Sequence, residues 1–153
     1  MSVARALSCV TLAVDGHPIE VEAHVADGLV GMNVTGMADV AINEARDRVR
    51  AAVLNSGARW PMRRITVGLS PAALPKHGSG LDLAMAVAIL SADGQLPVPM
   101  PTDVMFLGEL SLDGRVRRSR GSLVAALKAR EIGCTQIFVS AEDVDVVSLI
   151  TDV

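Results

Sequence analysis

Leu74-Pro75-Lys76-His77-Gly78-Ser79-Gly80-Leu81-Asp82-Leu83 carries the chain from a loop straight into a helix. Residues 71–80 are rich in proline and glycine, which break helix and strand alike. Residues 81–92 are apolar on almost every side, so a helix there has to be buried. Ser79 and Asp82 stand three apart across the junction, the spacing of a capping box with Ser79 as N-cap. The companion segment is Gly108-Glu109-Leu110-Ser111-Leu112-Asp113-Gly114-Arg115-Val116, followed by Arg120-Gly121 and a helical stretch over 122–132. Asp113-Gly114 suits a hairpin turn, because such turns need positive φ.

Working outward, residues 7–14 and 19–25 flank Asp15-Gly16, and the second run alternates apolar and polar. The pair predicts a hairpin with its turn at Asp15-Gly16. Residues 30–34 predict a third strand, closed by Gly36. Residues 38–55 form the clearest helix, with Ile42, Ala45, Val49, Ala52 and Val53 as its apolar stripe and Gly57 as its stop. Glu44 and Arg48 add an i,i+4 pair. A strand at 64–69, the buried helix, a second hairpin over 104–117, a helix to Gly133, a strand at 136–139 and a last helix from 141 complete the order. That order predicts an α+β (mixed α/β) fold in one domain, residues 1–153, with two β-hairpins and about four helices.

Composition narrows the function. Half of the residues are hydrophobic, yet there are two Phe, one Trp and no Tyr, so the core must be aliphatic and a base-stacking platform is disfavoured. A net charge of −3 does not advertise the whole chain to nucleic acid. Cys9 and Cys134 lie far apart and outside any CxxC, which suits buried thiols in a reducing cytoplasm. No window is long and apolar enough for a membrane span, so the expected location is cytoplasmic, without a membrane partner. No phosphate-binding GxxxxGK[ST] loop occurs in the chain.

The two quoted segments resemble the active-site segments of Lon-type proteases, where a PKDGPSAG-like loop presents a serine nucleophile and a GEI-x-L-x-G-x-V hairpin leads to a helix carrying a lysine base. Pro75, Lys76 and Gly78 match the loop, and the nucleophile position then falls on Gly80, with Ser79 one residue early. Counting from Gly108, Gly114 and Gly121 places the base position at Ala125. Neither residue can do the chemistry. The alternative is a displaced Ser-Lys peptidase built from Ser79 and Lys128, the latter beside Arg130 and Glu131 on the expected solvent face.

A closer resemblance is to the ComM/YifB family of magnesium chelatase-like AAA+ ATPases. It is carried by Asp15-Gly16-His17, Ile19 to Ala23, Gly28-Leu29, Glu44-Ala45-Arg46-Asp47-Arg48-Val49-Arg50-Ala51-Ala52, Asn55-Ser56-Gly57, Arg64 to Val67, Asp82-Leu83, Gly108-Glu109-Leu110 and Arg120-Gly121. The resemblance implies a Lon-protease-like fold of the ribosomal-protein-S5-domain-2 type. It further implies an AAA+ module downstream, binding ATP and Mg, and a hexameric motor acting on DNA. No cofactor is expected on this chain itself.

Arg115, Arg117, Arg118 and Arg120 follow the second hairpin and lead into a helix N-terminus, a candidate contact with DNA or with a neighbouring subunit. Against it stands a solvated hairpin edge whose charges discourage sheet pairing. Arg46, Arg48 and Arg50 read as an exposed, salt-bridged helix face. His17, His24 and His77 are scattered and frame no metal site.

Overall fold

A computed structural model describes residues 2–76, 79–96 and 99–150. The architecture is the mixed α/β arrangement expected: among the described residues, a six-stranded sheet, a two-stranded hairpin and four helices. Strands β1 (Ser2–Leu12), β2 (Asp15–Ala26), β3 (Gly31–Thr35), β4 (Arg64–Ser70), β5 (Val104–Phe106) and β8 (Gln136–Phe138) form the large sheet in the order β3-β4-β2-β1-β5-β8. β1–β2 and β2–β4 are antiparallel, whereas β3–β4, β1–β5 and β5–β8 are parallel. Parallel neighbours need a crossover, and two helices supply one each: α1 (Asp39–Asn55) between β3 and β4, and α3 (Ser122–Glu131) on the path from β5 to β8.

The side-chain period of two gives the sheet two different faces. Ala6 and Val10 of β1, Ile19, Val21, Ala23 and Val25 of β2 and Ile65, Val67 and Leu69 of β4 share an aliphatic core with α1 and α2 (Asp82–Ala92). α2 is buried along Ala84, Met85, Ala86, Ala88, Ile89 and Ala92, as an all-round apolar helix must be. On the opposite face Cys9 and Met105 meet Ala125 and Ala129 of α3, with Leu107 and Cys134. That face stays polar farther along β2, where Arg5 pairs with Glu20 and Glu22 at 3.4 and 2.6 Å. Of the two Phe, Phe106 and Phe138 stack at 5.2 Å between centroids across the last two strands.

Two hairpin expectations need correction. The first hairpin does not turn at Asp15-Gly16: Leu12 pairs with Asp15, the turn is Ala13-Val14, and Ala13 itself takes φ 55. Gly16 instead sits inside β2 opposite Thr11, where a Cβ would lie 3.1 Å from Lys128 Cβ and 3.2 Å from Cys9 Sγ. Glycine is needed there for close approach of α3, not for turn geometry. The run over 104–112 also splits. β5 joins the large sheet, and the hairpin proper is β6 (Glu109–Leu110) with β7 (Val116–Arg117), its turn at Gly114 with φ 94. After β8 the chain makes a 3-10 turn (Ala141–Asp143) and ends its described part with α4 (Val144–Val147). No helix among the described residues is long and apolar enough to cross a membrane.

Candidate functional site

The segments 74–83 and 108–116 meet in space. The loop before α2, the end of β1, β6 and the β7–α3 loop enclose a cleft of about 470 Å³. Its walls include Thr11, Ser79, Gly80, Glu109, Arg118, Ser119 and Arg120. Backbone bonds hold the walls together: Gly108 N–H donates to Gly80 O at 3.0 Å, and Leu83 N–H to Gly108 O at 3.1 Å.

At the nucleophile position, a side chain on Gly80 would meet the Ser119 hydroxyl and move it aside. A Cβ there would lie 2.6 Å from Ser119 Oγ and 3.3 Å from Leu107 Cδ1. At the base position, Ala125 is 1% exposed, packed among Cys9, Met105 and Ala129. Ser79 lines the cleft, and its hydroxyl donates to a Glu109 carboxylate oxygen. The capping-box expectation is therefore wrong: the helix N-cap is Leu81, without a side-chain cap, and Ser79 faces Glu109 instead. His77 and Gly78 lie outside the described residues.

Three lysine and carboxylate placements decide what chemistry is within reach. Lys128 is more covered than a solvent-face residue, 23% exposed, and its Nζ lies 2.9 Å from Glu131. Lys76 is buried and donates from Nζ to Pro71 O at 2.7 Å and Leu74 O at 2.9 Å. Burial lowers its pKa, yet its ammonium is spent on holding the loop. Neither lysine is a hydrogen-bond partner of Ser79 among the described residues.

Asp82 does not reach back to cap α2. It is 1% exposed and accepts Arg48 Nε at 2.7 Å, Arg48 Nη2 at 3.1 Å and Leu110 N–H at 3.1 Å. Burial pushes its carboxyl upward, against the pull of the Arg48 guanidinium and the Leu110 amide, and the Arg48 guanidinium is itself pushed up by Asp82. Arg48 is thus no ordinary member of an exposed arginine face. Its i,i+4 partner Glu44 is 3.9 Å away, at the far limit of an ion pair. A charge in the first turn of an otherwise apolar helix was the available signal for this buried pair.

The arginine cluster divides. Arg118 and Arg120 line the cleft, while Arg115 and Arg117 stay on the hairpin outside it. Arg115 Nε lies 3.5 Å from Asp113. Arg118 Nε donates to Asp143 at 3.2 Å, and the Ser119 amide donates to the other oxygen of that carboxylate at 3.1 Å. Asp143, 2% exposed in the 3-10 turn, also receives the Ser140 hydroxyl at 3.3 Å. It pins the loop that forms one rim, and nothing in the local sequence marks it. Cys9, at the cleft floor, is 3% exposed, and burial pushes its thiol up to about 11.

A family model described as subunit ChlI of Mg-chelatase matches residues 21–143. An uncharacterized protein of Mycobacterium tuberculosis is 47% identical over 150 residues, covering 98% of this chain and 30% of that protein. The uncharacterized protein YifB of Escherichia coli is 40% identical over 139 residues, 91% of this chain and 27% of YifB. Competence protein ComM of Haemophilus influenzae is 34% identical over 152 residues, 99% of this chain and 30% of ComM. A remoter likeness, 31% over 137 residues, joins 85% of this chain to 17% of the Lon protease of Rhizobium meliloti. The chain thus spans about 30% of the length of these ComM and YifB relatives. It belongs to the magnesium chelatase ChlI-like family that includes ComM and YifB, and its domain is the Lon-protease-like one.

Proposed function

We propose that this chain is a non-catalytic, protease-like domain that serves a larger ATP-dependent motor of the ComM/YifB type. In that assembly it helps a ring, expected to be a hexamer, to form or to engage DNA. The observation that carries the reading is the pair Gly80 and Ala125 at the two dyad positions, which supply neither a hydroxyl nor an amine, the second being 1% exposed. A Ser-Lys mechanism needs a neutral lysine amine beside the nucleophile, its pKa lowered by burial. Ser79 is held by Glu109, while Lys128 and Lys76 are engaged with Glu131 and with backbone carbonyls.

The motor belongs to the remaining length of such proteins, where an AAA+ module would bind ATP and Mg. The link to DNA rests on the similarity to ComM, a competence protein, and on Arg115, Arg117, Arg118 and Arg120. A cytoplasmic location goes with that role. The competing reading, a displaced peptidase using Ser79, is tested directly. Incubation with a fluorophosphonate probe and with unstructured peptides should give no labelling of Ser79 and no cleavage. Labelling at Ser79 that is lost in Ser79→Ala would overturn the non-catalytic reading.

A further inference from the structure

The cleft has lost its dyad positions yet is not filled in. Three hydroxyls, from Thr11, Ser79 and Ser119, line it, and two guanidiniums stand on one rim. Arg118 is tethered only through Nε, so both terminal amino groups are left over among the described residues. Arg120 has no carboxylate partner there at all. The tether matters, because Asp143 fixes the Arg118-Ser119 backbone and so fixes where the rim points. A planar fork held in place loses less entropy on binding than a free one.

Glycine brings the backbone close on the same side. Gly121 takes φ 79, and a Cβ there would strike Thr11 Oγ1. α3 starts at this point with no side-chain cap, and its first helical bond is Ala125 N–H to Gly121 O at 2.8 Å. The amides before it have no partner within the helix. Glu109 is the one carboxylate lining the cleft, and it already accepts from Ser79. On the rim made by Thr11, Ser119 and Arg120 the nearest carboxylate is that of Asp143, and it is already taken up by Arg118, the Ser119 amide and the Ser140 hydroxyl.

From this geometry we propose that the cleft binds a phosphate-type oxyanion at the Thr11, Ser119, Arg118 and Arg120 rim, supplied either by free phosphate or by the backbone of a single-stranded nucleic acid. Guanidinium forks and hydroxyl donors from several directions suit tetrahedral oxygens. Without an aromatic residue among the lining groups, recognition would be of the phosphate and not of a base. The inference rests on the DNA link of the proposed function for its nucleic-acid arm, but not on the non-catalytic part. A chain that cleaved peptide would sink the earlier reading and leave this one standing.

The test is a titration of the ¹⁵N-labelled chain at neutral pH with sodium phosphate and, separately, with oligothymidylate. The amides of Thr11 and Ser119 to Leu123 should shift and saturate. Arg120→Gln should weaken binding about tenfold, one charged hydrogen bond's worth, with an unchanged melting temperature. Thr11→Val should weaken it less. Equal saturation by free phosphate and by oligonucleotide phosphate identifies the free anion as ligand. Far tighter oligonucleotide binding at the same amides, falling with salt, identifies a phosphodiester backbone. If neither probe moves these amides, or if Arg120→Gln binds like the parent, the proposal is wrong.

Discussion

Asp82 shows how much one residue can control. Its carboxylate sits 1% exposed at the start of an apolar helix, and three donors from Arg48 and Leu110 make that tolerable. A buried pair adds little over an apolar replacement, but removing one partner strands a charge. Arg48→Met should therefore lower stability by about 3–5 kcal/mol in urea unfolding, whereas the double variant Arg48→Met with Asp82→Leu should recover much of the loss. Ala125 makes the complementary point. A lysine there would place an ammonium among the apolar side chains of Cys9, Met105 and Ala129. Ala125→Lys should cost about 2–4 kcal/mol by the same measurement and should not bring back peptidase activity, even beside Gly80→Ser.

At the scale of elements, packing of α3 decides where the cleft opens. Gly16 lets the helix lie against the first hairpin, with Lys128 Cβ and Val124 O within 3.2 Å of where a Cβ would sit. Gly16→Val should push the helix outward and cost about 1–3 kcal/mol, read by thermal unfolding. At the other end of the loop, Asp143 ties the 3-10 turn to the β7–α3 connection through Arg118 and the Ser119 amide. Asp143→Ala should leave that amide without its acceptor, costing about 1–3 kcal/mol. Its hydrogen exchange should speed up while β1 and β2 stay protected, which separates a local release from global loss of the fold.

For the molecule as a whole, the second core on the α3 side carries a titratable group, Cys9. Its thiol is pushed by burial from 9.0 to about 11. In the unfolded chain the same thiol ionises first, so between pH 9 and 11 the unfolded state holds fewer protons than the folded one. Stability then falls as pH rises through that window, by on the order of 2 kcal/mol, and Cys9→Ala should flatten the decline. Alkylation by iodoacetamide at pH 8 should be slow in the folded chain and prompt in urea.

The fold was legible because hydrophobic period and length are local properties. The alternation at 19–25, the stripe through Ala45, Val49, Ala52 and Val53 and the apolar run at 81–92 each name their element, and each element stands where it was expected. The dyad positions Gly80 and Ala125 were also readable, since spacing along two motifs locates them without coordinates. Long-range partnerships were not. Ser79 and Asp82 have the spacing of a cap, but Glu109 and Arg48, 30 and 34 residues away, take them instead. Asp15-Gly16 has the composition of a turn, but the approach of α3 claims the glycine for packing. Arg118 reads like its three neighbours until Asp143, 25 residues on, singles it out. Sequence alone determined which segments bury an apolar face, because that depends on neighbours in the chain. Only the tertiary structure decided which polar groups meet, because a buried charge or hydroxyl is settled by whichever partner the packed elements bring within hydrogen-bond reach.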